Sequence, residues 1–172
     1  MEEKQLGAAR VFASHYQLVV CDDPSIPVGD DENWDPEKFA LGFAGRPTFR
    51  MVGTEADLND HWVELMLVDQ PPSFDGWQRI TCVHFRSTSG KVHVMSVIDA
   101  DPAISADIAP DDYTVYFAAQ NIGVDQLSLG EKSKLTDDEI AARKDIEWYR
   151  LFLMPGKPDR EGRLVDRPRP VD

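Results

Sequence analysis

The chain of 172 residues is short of cysteines, of bases relative to acids, and of long apolar runs. Its two cysteines, Cys21 and Cys82, lie far apart and each within an apolar segment, which favours buried thiols over a disulfide or a catalytic cysteine. No stretch approaches the roughly 18 apolar residues that a membrane-spanning helix needs. The first residues lack the basic and apolar regions of a signal peptide, so the sequence predicts a cytoplasmic protein with no membrane span.

The motifs of common enzymes and metal sites are also missing. The chain contains no Gly-x-Ser-x-Gly, no His-Glu-x-x-His, no glycine-rich phosphate loop and no dinucleotide fingerprint. Neither cysteine has a second one at the spacing of metal ligands. The sequence therefore predicts neither an enzyme nor a cofactor, and an enzyme with an unrecognised site is retained only as a third alternative.

What the chain has in excess is negative charge. It contains 31 Asp and Glu against 18 Lys and Arg, for a formal net charge of −13. Seven acids and no base lie between residues 22 and 37: Asp22, Asp23, Asp30, Asp31, Glu32, Asp35 and Glu37. Six more acids and no base lie between residues 92 and 130: Asp99, Asp101, Asp107, Asp111, Asp112 and Asp125. Such a field repels phosphate backbones and attracts basic partners, so direct nucleic-acid binding is not expected.

Short alternating segments between turn residues predict a mostly-β fold, an antiparallel β-sandwich of about seven to nine strands. Residues 11–21 are expected to form the first strand, and residues 77–99 a central hairpin that turns at 87–90. The register of this hairpin would pair residues across its two strands as follows: Val83 with Val94, Phe85 with Val92, and His84 with His93. Both faces of the hairpin are apolar, so both must be covered.

Two helices and the domain boundaries follow from local signals. Asp35-Pro36 supplies an N-cap and a first-turn proline for a short helix near residues 36–42. A capping box at Thr136 and Glu139 predicts a helix near residues 137–146. A loose arm is expected at residues 1–9, a single domain at 10–154 and a flexible tail at 155–172.

Histidine pairs and aspartate clusters are the candidate metal ligands. His84 and His93 would be cross-strand neighbours in the hairpin, with a third ligand from His15 or His61, but stacked histidines on strands are common and no metal is predicted. The acidic clusters offer a calcium site, in an alternative in which the protein is a calcium- or small-ligand-binding sandwich. They comprise Asp22 with Asp23, Asp30 to Glu32, and Asp99, Asp101, Asp111 and Asp112.

Clustered carboxylates on a rigid protein can also dock on a cationic surface. A nuclease lines its nucleic-acid groove with Lys and Arg, and short exposed aspartates can occupy the positions of the phosphates. Trp34 and Tyr113 would add the aromatic contacts that charge alone does not supply. The predicted partner-binding residues are Asp22, Asp23, Asp30, Asp31, Glu32, Trp34, Asp35, Asp111 and Asp112.

Several segments of the chain resemble the competence protein J family. They are residues 14–18 (SHYQL), the PSIPV segment before Trp34, the Gly42/Gly45 turn, the glycine-turned residues 80–96, and Asp107-Ile108-x-Pro110-x-x-Tyr113. The likeness covers about residues 10–121. It implies a small β-sandwich without catalytic residues that binds and blocks a nuclease or a nuclease-like toxin. We therefore predict an acidic inhibitor or immunity protein that occludes the basic active-site cleft of such a partner.

Overall fold

In the computed structural model, which describes residues 2–26 and 28–168, eleven strands form two sheets that face each other. The first sheet contains, in spatial order, β1 (Glu3–Ala13), β5 (Asn59–Val68), β10 (Trp148–Pro155), β9 (Asp111–Gln120), β6 (Arg79–Ser87) and β11 (Gly162–Asp166). The second contains β3 (Phe43–Arg46), β4 (Phe49–Gly53), β2 (Gln17–Cys21), β7 (Lys91–Met95) and β8 (Ile104–Asp107). The predicted β-sandwich is confirmed, with two more strands than the upper bound of the prediction.

The core lies between the two sheets. Successive side chains on a strand point to opposite faces, so every second residue of each central strand enters this layer. Val83 and Phe85 of the first sheet are fully buried there, as are Leu18, Val20 and Val94 of the second. Only β10 and β5 run parallel among the described strand pairs, which places a late segment of the chain in the middle of the first sheet.

Each sheet also has a covered outer face. On the first sheet, Phe74 and Trp77 pack against Ile80 and Tyr116. On the second, Val28 and Trp34 lie over an apolar patch formed by the side chains of Val19, Cys21, Ala44, Phe49, Met51 and Met95. Residues 22–26 and 28–35, the described part of the acidic segment, therefore cover the second sheet, and the contacts of Val28 and Trp34 with this patch set their position.

The predicted hairpin of residues 77–99 is wrong. β6 pairs with β9 and β11, whereas β7 pairs with β2 and β8, so the chain crosses from one sheet to the other at residues 88–90. Val83 is therefore opposite Val115 rather than Val94. Alternation determines which side chains face inward, but two strands that are apolar on both faces fit equally well as neighbours in one sheet or as opposed strands in two.

The predicted first strand is divided, and the predicted arm and tail contain strands. β1 ends at Ala13, and β2 begins in the other sheet after a turn in which His15 and Tyr16 have φ of 56° and 58°. Residues 3–9, expected to be loose, pair along β5. Within the expected tail, β11 pairs with β6, and residues 169–172 lie outside the described residues. β1 and β11 lie at the edges of the first sheet, where exposure to solvent weakens the apolar pattern of the sequence.

The helices begin where the capping signals predicted. α1 (Pro36–Leu41) is capped by the Asp35 carboxylate, which accepts a hydrogen bond from Lys38 N at 2.9 Å. α2 (Leu129–Lys132) was not predicted, and α3 (Asp137–Ala142) has the Thr136 capping box but ends four residues earlier than expected. No helix among residues 2–26 and 28–168 is long and apolar enough to cross a membrane.

Removing residues 2–9 tests the assignment of β1. Leu6 and Ala9 pack against the core and the segment forms a ladder with β5, so we expect a loss of about 2–5 kcal/mol in the free energy of unfolding, measured with urea. The exposed Gln5→Ala on the same strand should change it by less than about 0.5 kcal/mol. An unchanged urea midpoint for the truncated protein would show that the segment is a loose arm after all.

Candidate partner-binding surface

Asp22 is a buried structural residue and not a contact residue, because the residue is only 6% exposed and its carboxylate is engaged in hydrogen bonds within the protein. Oδ1 accepts hydrogen bonds from Ser87 Oγ, Thr88 N, Ser89 N and Ser89 Oγ at 2.7–3.2 Å, and Oδ2 accepts one from Thr88 Oγ1 at 2.5 Å. Burial alone would raise the pKa of this carboxyl, but the bonds from Thr88 and Ser89 outweigh it and lower the pKa. Asp22 thus joins the end of β2 to the crossing between β6 and β7.

Three more of the predicted contact acids shape the segment that follows. The Asp23 carboxylate accepts bonds from Ser25 N and Oγ at 2.9 and 2.7 Å. Glu32 forms an ion pair with Arg46 at 2.5 Å. Asp35 caps α1 and lies 3.3 Å from Lys38 Nζ, which also donates to the carbonyl oxygens of residues 31 and 33. The carboxylates of Asp23, Glu32 and Asp35 are therefore engaged in hydrogen bonds and ion pairs that stabilise the acidic segment.

Asp30 and Asp31 are the exposed acids of the same segment. They lie in a single 3-10 turn, Asp30–Glu32, and both side chains face solvent. Among the described residues, neither carboxylate forms an ion pair, so their charges remain available to a partner.

Asp111 and Asp112 begin β9, where residue 111 is opposite Ser87. Asp112 accepts hydrogen bonds at 2.8 Å from Arg86 Nε and His84 Nε2, and these bonds lower its pKa to about 2. Its charge is compensated within the protein. Asp111 is exposed, and its Oδ1 accepts a hydrogen bond from Asp112 N.

The pairing of His84 with His93 is wrong, because β6 and β7 belong to different sheets. His84 contacts Asp112, and His93 Nδ1 lies 2.7 Å from Ser105 Oγ. His15 bonds to Ser14 Oγ and His61 is buried beside Tyr149, so neither joins the other two. Within the described ranges, no group of three or more His, Cys, Asp or Glu could hold a metal ion.

Of the two predicted aromatic anchors, only Trp34 reaches the surface. It is half-buried, its Nε1 donates to Gln17 Oε1 at 2.7 Å, and its ring stacks on Phe39 with centroids 5.1 Å apart. Tyr113 is buried between the sheets, and its hydroxyl donates to Ala109 O at 2.6 Å. Tyr113 is therefore a core residue, and its proposed role as an anchor is wrong.

Two clefts adjoin the contact between Trp34 and Gln17, one lined by Gln17 and the other by Trp34. One, of about 310 Å³, runs along the outer face of the second sheet past Gln17, Met51 and Met95. The other, of about 410 Å³, is called the aromatic cleft here. It is lined by His15, Tyr16, Trp34, Phe39, Gly42, Gly53, Thr54, Glu55, Asp57 and Arg163. Trp34 thus connects the acidic segment to an open aromatic surface.

Tyr16 and Phe39 are the surface residues that the sequence analysis missed. Their side chains are 57% and 64% exposed, values that are high for large aromatic rings. Residues 11–21 were expected to form one continuous strand, and no face was assigned to the helix near residues 36–42, so neither Tyr16 nor Phe39 stood out. The signal that could have revealed Phe39 is the length of α1, since a helix under two turns after the Asp35 cap cannot bury every apolar residue.

A two-layer β-sandwich that exposes an aromatic cleft beside unpaired carboxylates has the features of a protein-binding domain. The model of the family "Competence protein J (ComJ)" matches residues 10–138, and the chain belongs to this family. The prediction of the family is confirmed.

Two solved structures share the fold. One is ComJ from Bacillus subtilis, described as an inhibitor of the DNA-degrading activity of NucA, with a TM-score of 0.64 and 14% identity. The other is the product of crocagin biosynthetic gene J, with a TM-score of 0.54 and 16% identity. Each comparison covers 91% of this chain and 100% of the other chain. The search of curated proteins gave no match. The prediction that the chain is not an enzyme agrees with its family, whose matched member is described as an inhibitor.

Asp22→Asn tests the structural role of the buried carboxylate. An amide nitrogen would face hydrogen-bond donors, and the loss of charge-assisted bonds should lower the free energy of unfolding at pH 7 by about 2–4 kcal/mol, measured with urea. The pKa of Asp22 is below its ordinary value of 3.8 in the folded protein, so this stabilisation is present above that value and is lost as the pH falls through the folded pKa. The difference between the two proteins should therefore shrink towards pH 2.

The matched control is Asp31→Asn, which changes an exposed acid nine residues away in the same segment. It should alter stability by less than about 0.5 kcal/mol at any pH. If both variants were equally stable, Asp22 would not hold the crossing segment.

Proposed function

We propose that this protein inhibits a nuclease, or confers immunity to a nuclease-type toxin, by covering the basic active-site cleft of that partner. Membership of the competence protein J family supports the proposal, since ComJ of Bacillus subtilis is described as an inhibitor of a nuclease. The observation that carries the mechanism is the exposure of unpaired carboxylates beside Trp34, in a chain with a formal net charge of −13. The partner is a basic protein, and direct binding to nucleic acid has no part in the proposal.

The acids divide into contact and supporting residues in this proposal. Asp30 and Asp31 meet the cations of the partner, because they project from a defined 3-10 turn and neither forms an ion pair within the described residues. Glu32 is paired with Arg46, and Asp35 is paired with Lys38, whose Nζ donates to Asp31 O, so the turn that presents the two contact acids is tied to the rest of the protein. Pre-ordering of this kind reduces the conformational entropy lost when the partner binds.

Charge acts mainly on the rate of encounter. Long-range attraction between an acidic and a basic surface accelerates association and is screened by salt, whereas dissociation depends on the packed contacts. An acidic face therefore allows rapid capture of a nuclease before it reaches DNA. The packed part of the interface has to come from apolar residues close to the acids.

The proposal is tested by measuring DNA degradation by NucA, and by each DNA-degrading nuclease of the source genome, with and without the protein. We expect stoichiometric inhibition of at least one of them. Asp30→Lys with Asp31→Lys should slow its association by about 10-fold or more at low salt, with a smaller change in dissociation, as measured by surface plasmon resonance.

The control reverses two exposed acids elsewhere, Asp69→Lys with Asp75→Lys between β5 and β6, and so makes the same change in net charge. A local contact predicts a much smaller effect for the control than for the pair in the 3-10 turn. Equal effects would mean that only net charge matters, and failure to inhibit any nuclease would contradict the proposal itself.

A further inference from the structure

Residues with a strained backbone conformation border the aromatic cleft. Four described non-glycine residues have positive φ, and three of them lie at this cleft or next to it: His15 (56°), Tyr16 (58°) and Leu58 (52°). Side chains with a Cβ disfavour this left-handed conformation, and turns of this kind normally use glycine or asparagine. Strain retained at one place on a surface points to a use for the side chains displayed there.

The strained turn displays an aromatic ring that has no structural task in the described residues. The main-chain groups of Tyr16 are engaged, since its N–H donates to Asp57 Oδ1 at 3.3 Å and its carbonyl oxygen accepts from Thr54 N at 2.8 Å. Its side chain is more than half exposed and faces the cleft. On the other side, Phe39 lies against Trp34 with an angle of 23° between the rings, and Gln17 fixes the indole. The cleft therefore has aromatic rings in its walls, of which Trp34 is held by a hydrogen bond and a ring stack.

The charge at the cleft is that of one uncompensated carboxylate. Glu55 is paired with Arg79 at 3.0 Å, and Asp166 is paired with Arg79 at 3.1 Å and with Arg163 at 3.4 Å. The charges of Arg79 and Arg163 thus balance those of Glu55 and Asp166. Asp57 accepts hydrogen bonds from Tyr16 N and Leu58 N, and no ion pair to it is found in the described part of the chain. Aromatic faces with one free carboxylate are the chemistry that recognises an Arg or Lys side chain.

We propose that the aromatic cleft receives one Arg or Lys side chain from the basic partner, held between Tyr16 and Phe39 with Asp57 as its counter-ion. This inference rests on the proposed function and names its packed contact. The acids of the 3-10 turn govern encounter, and the cleft governs how long the complex lasts. A desolvated cation between aromatic rings is bound more tightly than an exposed ion pair, which gives the cleft its effect on dissociation.

The test uses variants that keep the fold. Tyr16→Gly removes the ring at a position whose φ suits glycine, so its melting temperature should equal or exceed that of the wild type. Phe39→Ala removes the opposite wall, and Asp57→Asn removes the charge but keeps an oxygen to accept from the two backbone N–H groups. Binding to the inhibited nuclease is measured by surface plasmon resonance at two salt concentrations.

We expect each aromatic variant to raise the dissociation rate at least 10-fold with little change in association, and Asp57→Asn to raise it several-fold. Leu129→Ala, an exposed apolar residue on α2, is the control and should bind as the wild type does. If the wild type binds a nuclease but Tyr16→Gly and Phe39→Ala dissociate at its rate, the cleft is not the contact while the proposed function stands. If the wild type binds no nuclease, both are contradicted.

Discussion

The hydrogen bonds that Asp22 accepts from residues 87–89 are the interaction on which the arrangement of this surface depends. They connect the end of β2 to the segment in which the chain passes from one sheet to the other. A buried carboxylate with several donors is stabilising only when every bond is made, so the position of both segments is closely defined. The chain that leaves Asp22 then lies over the second sheet and brings Val28 and Trp34 onto its apolar patch.

This arrangement separates two roles that the acidic composition does not distinguish. The carboxylates of Asp22 and Asp112 accept hydrogen bonds from hydroxyl, guanidinium and imidazole groups of the protein itself. Asp30, Asp31 and Asp57 form no ion pair within the described residues. Asp30 and Asp31 lie just before Trp34 in the chain, and Asp57 lines the aromatic cleft. Net charge is a property of the whole chain, but the local geometry decides which carboxylates a partner can meet.

The sequence was sufficient to predict the two-layer architecture and the positions at which α1 and α3 begin. Alternation along strands such as β9 predicts a two-sided core, and the Asp35-Pro36 and Thr136 signals act over four residues, so local reasoning can find them. It was insufficient for strand pairing, because β6 is apolar on both faces and the inward valines of β7 can be buried by a partner in either sheet. The turn at His15 and Tyr16 was not predicted for a related reason. The alternation of apolar and polar residues continues through it, while the backbone passes from one sheet to the other.

The candidate site was accordingly predicted in part. The acidic segment and Trp34 are recognisable from composition and spacing. The cleft, however, is assembled from residues 15–16, 34–42, 53–57 and Arg163, which only the two-sheet fold brings together. Its main residues carry no motif. Tyr16 is distinguished by backbone conformation and Asp57 by the lack of an ion pair in the described structure, and neither property can be read from a residue type.

Hydrogen exchange of the backbone amides in the complex with the inhibited nuclease tests the central claim most directly. The account predicts that binding increases protection at residues 14–17, 30–42 and 53–58, and leaves the segment after Asp111 unchanged. Protection that is confined to the opposite sheet, or spread evenly over all acidic segments, would contradict a binding surface centred on Trp34.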